Sequence, residues 1–301
     1  MSHPPSERVF VSPEALQELL RAAKGARPTV LEVGSGEGAD FLEGHVPTAV
    51  YADAGDFERP PLWKRIPDSE LFARLESLGL RCPARPIVLY GRNVRGTLAA
   101  ARVAVLLLYA GAADVRLLDG GLAAWQSALL PLDSGTEPQP SPGVWEGSVM
   151  PGVFCGLEDV RKVVERPVTE AAEEAEAEGK RRDEAEDFID DPLLVSIRNH
   201  DEQVGISTGY PYILTAGRIP RDTWGLAGCS TPQHMEEFLH SHSGRLLPLQ
   251  EILAKWTRLR LSASRRLIFY CGTSWRASLA FMVARALGWP QLSVYDGGWL
   301  E

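Results

Sequence analysis

Short apolar runs recur at matching places in the two halves of the chain. Residues 29–33 read TVLEV and 193–197 read LLVSI, and further along come IVLY at 87–90 and LIFY at 267–270. Apolar runs of this length, bounded by glycine and polar residues, suit central strands of a parallel sheet, which are buried on both faces and so do not alternate. A polar loop follows each of the last two, then a small-residue helix, a further strand and D-G-G. In the second copy, GTSWRASLAFMVARAL has the spacing of a half-buried helix. The turns G-H-V-P at 44–47 and G-R-I-P at 217–220 also recur, so the repeat is a whole domain.

Each copy therefore reads as strand, turn, short strand, helix, buried strand, loop, helix and strand. That alternation predicts an α/β protein of two domains, each a mainly parallel central sheet flanked by helices. The expected division is 1–130, a linker at 131–152, and 153–301. PLDSGTEPQPSPG at 131–143 lacks apolar periodicity and should run over the surface. Residues 169–187, TEAAEEAEAEGKRRDEAED, have no counterpart in the first copy and read as a solvated acidic insertion.

Composition narrows the function classes. The chain has 301 residues, is 45% hydrophobic and carries a formal charge of -9, which fits an ordinary globular protein and disfavours nucleic-acid binding. No apolar run approaches the roughly 18 residues of a membrane span, so a cytoplasmic protein is expected. Four widely separated cysteines, Cys82, Cys155, Cys229 and Cys271, form no C-x-x-C pair, so any cysteine chemistry is expected to involve one thiol. No metal or organic cofactor is expected.

Cys271 stands directly after LIFY and directly before the helical stretch. A loop leaving the C-terminal end of a parallel strand opens where α/β sheets bind ligands, and the next helix points its N-terminal amides at it. Those amides, the helix dipole and Arg276 favour an ionised sulfur. The first copy has Gly91 to Gly96 in this place and no cysteine. His45 and Arg218, in the two recurring turns, are expected to make structural hydrogen bonds; Asp119 and Asp296, before each Gly-Gly, suit turns.

YCGTSWRAS, with the helix and VYDGGW that follow, resembles the active-site region of the tandem-domain rhodanese family of sulfurtransferases. The resemblance spans nearly the whole chain and implies two rhodanese-like domains. It also implies that Cys271 carries sulfane sulfur as a persulfide, cradled by Gly272, Thr273, Ser274, Trp275 and Arg276, with the first domain as a non-catalytic wall. Gly272 would let the backbone approach the sulfur. Thr273 and Ser274 would either donate hydrogen bonds to sulfur or substrate, or cap the helix. Trp275 would narrow the entrance or pack on the first domain, and Arg276 would pair an anionic donor through its planar fork. Arg198 matches an arginine that mercaptopyruvate-using members place after the second-domain strand.

The small anionic sulfur donor expected on charge grounds is thiosulfate, with 3-mercaptopyruvate as the alternative. The acceptor would be cyanide, a thiol or a thioredoxin-like protein. A rival of another class is a sulfur-relay or regulatory module that hands sulfur to a partner. A phosphatase or arsenate reductase is disfavoured, because phosphatases on this fold need C-x-x-x-x-x-R and Arg276 falls one position short.

Overall fold

The apolar runs become the central strands of two sheets of the same design. The computed structural model describes residues 9–23, 26–36, 38–82, 85–135, 142–166, 192–228 and 235–301; the acidic segment 169–187 and Cys229 lie outside them. The first half holds β1 (Phe10–Val11), β2 (Thr29–Gly34), β3 (Val50–Asp53), an antiparallel pair β4 (Glu58–Arg59) and β5 (Lys64–Arg65), β6 (Arg81–Cys82), β7 (Ile87–Tyr90) and β8 (Val115–Leu118). After β9 (Val144–Trp145), the second half holds β10 (Phe154–Cys155), β11 (Leu193–Ser196), β12 (Thr223–Trp224), β13 (Leu267–Tyr270) and β14 (Leu292–Tyr295). The sheets run β1-β8-β7-β2-β3 and β10-β14-β13-β11-β12, parallel throughout. The helices are α1 (Pro13–Arg21), α2 (Ala39–Glu43), α3 (Asp68–Ser77), α4 (Val94–Tyr109), α5 (Gly121–Ser127), α6 (Leu157–Glu165), α7 (His200–Gln203), α8 (Leu249–Arg258) and α9 (Trp275–Ala286). Among the described residues, no helix is long and apolar enough to cross a membrane.

The duplication extends to single hydrogen bonds. Val46 N–H donates to the Tyr90 hydroxyl at 3.0 Å, and Ile219 N–H to the Tyr270 hydroxyl at 3.2 Å. Leu122 N–H donates to Gly91 O at 3.0 Å, and Trp299 N–H to Cys271 O at 2.8 Å, which makes Gly91 the counterpart of Cys271. His45 is buried, bonded through Nδ1 to Phe41 O at 2.9 Å, whereas the exposed Arg218 side chain pairs with the buried carboxylate of Asp222 at 3.4 Å.

Two features differ from the sequence reading. Helix α9 is buried from Arg276 to Ala284, not half-buried, because α4 covers its other face. Both helices are rich in buried small residues, among them Ala100, Ala101 and Ala104 on α4 and Ala277, Ala280 and Ala284 on α9, and one apolar cluster runs through both halves. The end of the expected linker also packs: β9 pairs with β6, and buried Trp145 donates its indole N–H to Ala110 O at 2.9 Å.

The two D-G-G aspartates reach across the seam as well as forming turns. Asp119 accepts from Leu246 N–H at 2.7 Å, and Asp296 accepts from Arg102 at 2.6 Å. Arg102, fully buried in α4, also donates to Glu58 at 2.8 Å. Burial pushes the Glu58 carboxyl up, against the lowering by Arg102 and Trp275; the same burial would lower Arg102, but Asp296 and Glu58 hold it up. Arg102 stays charged, because a guanidinium keeps its proton in folded proteins.

Arg102→Ala would leave two buried carboxylates without their counter-charge. The expected cost is about 3–5 kcal/mol, read from urea unfolding. A loss below about 1 kcal/mol would mean that water compensates the cluster as well as the arginine does.

Candidate active site

Cys271 leaves β13 at the end of the second sheet and is fully buried. The loop that carries it is held from inside. Ser274 adopts a left-handed φ of 73°, and its hydroxyl is shared between Tyr295 O at 2.8 Å and Asp296 O at 2.9 Å. Its own carbonyl accepts from Ser278 N–H at 2.9 Å and the Ser278 hydroxyl at 2.8 Å. These bonds fix a tight reversal between strand and helix, a backbone state that a non-glycine residue adopts only where its surroundings impose it. Gly272 is needed for space, since a Cβ there would sit 2.1 Å from the Tyr210 ring.

Beneath the loop lies a buried ion cluster. Arg276 donates to Glu202 through both terminal nitrogens, at 2.7 and 2.8 Å, and to the Tyr210 hydroxyl at 3.0 Å. Arg198 donates to the same carboxylate at 3.3 Å and to the carbonyls of Gly217 and Thr208. Two guanidinium groups share one carboxylate, so the triad keeps one net positive charge. Arg276 lies within electrostatic reach of Cys271, and in a medium of low polarisability such a charge attracts a small anion.

The rim is aromatic. Tyr210 and Tyr212 have ring centroids 5.4 Å apart, and Trp63 of the first half lies 6.5 Å from Tyr212. Tyr212 hydrogen-bonds Thr273; burial, foremost, and the nearby Cys271 raise its pKa. Trp275 donates its indole N–H to both Glu58 oxygens, at 3.1 and 3.0 Å, and so ties the cysteine loop to the first half.

Of the residues singled out in the sequence, Cys271, Gly272, Thr273 and Trp275 gather around the sulfur and its rim. Ser274 and Arg198 do not offer free donors there, and Arg276 keeps only its buried Nε–H without a hydrogen-bond partner among the described residues. The Ser274 hydroxyl is used by the backbone of the D-G-G turn, and both arginines are turned onto Glu202, so neither presents the open fork expected for a donor. Glu202, Glu58, Tyr210 and Tyr212 escape the sequence reading. The one signal was the Tyr210-Pro211-Tyr212 run before the G-R-I-P turn. Among the described residues no cluster of histidine, cysteine and carboxylate side chains is arranged to hold a metal.

The Glu202 pair has a defined acid limit. Burial alone would raise its carboxyl, but the bonds and charge of Arg276, the Asn199 N–H and Arg198 outweigh it and hold the group below its ordinary value of 4.5. The folded state thus binds fewer protons than the unfolded one. The stability Glu202 lends is complete above its unfolded pKa and is lost as pH falls through the lower folded value. Glu202→Gln is expected to cost about 3–5 kcal/mol at neutral pH and to flatten the acid slope. Urea midpoints between about pH 5 and pH 3 that fall as steeply in the variant as in the parent would contradict this.

The sequence model of the family described as "Rhodanese-like domain" matches residues 12–128 and 182–301. "Thiosulfate sulfurtransferase YnjE" of Escherichia coli (strain K12) is 38% identical, over 97% of this chain and 62% of its own length. The chain thus spans less than two thirds of that relative. The crystal structure of YnjE superposes with a TM-score of 0.84 at 36% identity, over 99% of this chain and 67% of that one. "3-Mercaptopyruvate sulfurtransferase" of Homo sapiens is 26% identical over 100% of this chain and 94% of its own.

Proposed function

The chain belongs to the family of proteins built from rhodanese-like domains, and from that premise we propose that it is a thiosulfate sulfurtransferase working through a Cys271 persulfide. The observation that carries this reading is the placement of one buried thiol at the C-terminal end of β13, over a triad with one net positive charge. The likeness to a thiosulfate sulfurtransferase across nearly the whole chain supports it.

In the proposed cycle the Cys271 thiolate attacks the outer sulfur of thiosulfate. The sulfur–sulfur bond breaks, sulfite leaves with its electron pair, and the cysteine keeps the sulfane sulfur as a persulfide. A nucleophilic acceptor, cyanide or a thiol, then attacks that outer sulfur, and the electron pair returns to Cys271 as thiolate. Arg276 contributes through its charge and not through a fork, since Glu202 and Tyr210 occupy both terminal nitrogens. The buried loop shields the persulfide from water, and Gly272 keeps the backbone clear of Tyr210. We place the division of the chain within 131–152, with Glu58 and Trp63 as the contribution of the first domain to the rim of the site.

A second reading takes 3-mercaptopyruvate as donor, favoured by the Cys271-Gly272-Thr273 start of the loop and a relative of similar length. It loses ground at Arg198, whose guanidinium is committed to Glu202, Gly217 and Thr208 and is closed to a substrate carboxylate.

Steady-state rates with thiosulfate and cyanide test the proposal. The parent protein should form thiocyanate, and Cys271→Ser should fall to the uncatalysed background. Turnover that survives in the serine variant would move the chemistry elsewhere, and a higher kcat/KM with 3-mercaptopyruvate would replace the donor.

A further inference from the structure

The first half contains a cavity of about 430 Å³ at the C-terminal ends of β2 and β7, in the place that the Cys271 site occupies in the second half. The cysteine-less loop forms one side through Arg92, Asn93, Arg95 and Gly96, and Trp275 of the cysteine loop forms another. The cavity thus borders the catalytic cleft across a single indole, itself fastened to Glu58.

Most cations around the cleft are already paired. Arg276 and Arg198 share Glu202, Arg102 bridges Glu58 and Asp296, and Arg92 holds Glu32 at 2.6 Å. Lys64 holds Glu301 at 2.7 Å, and Arg65 holds Asp68 at 2.5 Å. Arg95 is exposed, lines the cavity and makes no ion pair or hydrogen bond with any described residue. It also lies close enough to Tyr212 to influence that phenol, which in turn lies close to Cys271. Of the two carboxylates on the cavity wall, Glu32 is held by Arg92, and Asp40 lies within electrostatic reach of Tyr51.

We propose that Arg95 is a specificity-determining residue of the first domain that docks the compact anionic sulfur donor at the Arg95–Trp275 end of this cavity before it reaches Cys271. This rests on the sulfurtransferase reading for its substrate, but not for its binding measurement. A guanidinium on the cavity wall with no ion-pair partner among the described residues offers the planar fork that Arg276 and Arg198 have already committed, and thiosulfate presents two or three oxygens to it. The sulfane sulfur would then be free to point toward the thiol.

The test separates docking from turnover. Thiosulfate is titrated by calorimetry into full-length Cys271→Ser, which cannot accept sulfur, and into Cys271→Ser/Arg95→Gln. Arg95→Gln should weaken binding roughly 10-fold, with Arg95→Lys between the two, as expected for one charge-assisted contact. With Cys271 intact, Arg95→Gln should raise the KM for thiosulfate by a similar factor and leave kcat within about twofold. Equal affinities with and without Arg95, no thiosulfate binding to Cys271→Ser, or a fall in kcat at constant KM would each overturn the proposal. Arg95-dependent binding without turnover in the parent protein would uphold the docking site and refute the sulfurtransferase reading.

Discussion

The carboxylate of Glu202, buried between two guanidinium groups, is the interaction on which the rest of the site depends. Ionised, it takes both terminal nitrogens of Arg276 and the Nε of Arg198. Without it, two like charges would face each other in the interior beneath the cysteine loop, a state that costs several kcal/mol. With it, Arg276 is fixed at the start of α9, Tyr210 is fixed against Arg276, and the Tyr210 ring sets how closely Gly272 must pass. The charge left over is one positive unit, within electrostatic reach of Cys271.

The two halves share a backbone plan and divide the work. Equivalent hydrogen bonds place Gly91 where the second half places Cys271, so the first half retains the loop position and lacks the cysteine. Its contribution crosses the seam. Glu58 accepts from Trp275, Arg102 donates to Asp296, and Trp63 closes on Tyr212. The packing of α4 on α9 makes those contacts possible, because small side chains on both helices bring the halves close enough for buried polar groups to meet.

The parts of this arrangement that are local in sequence are legible there. LIFY followed by Cys271 and a helix is a contiguous signal, and the G-H-V-P and G-R-I-P turns mark the duplication without any structure. Side-chain direction is not local. Arg276 reads as an open fork because its partner stands on a four-residue helix in another part of the chain, and nothing near Glu202 announces it. Asp296 reads as a turn residue and is one, yet its second role needs Arg102 from the other half. The burial of α9 from Arg276 to Ala284 was hidden for the same reason: its outer face is covered by a helix far away in sequence.

The central claim, that Cys271 alone accepts the sulfur, is tested most directly by the mass of the intact protein after incubation with thiosulfate and removal of excess donor. The account predicts a protein heavier by one sulfur atom, with the addition on the peptide that contains Cys271 and lost on treatment with cyanide. An unchanged mass, or sulfur carried by Cys82, Cys155 or Cys229, would contradict it.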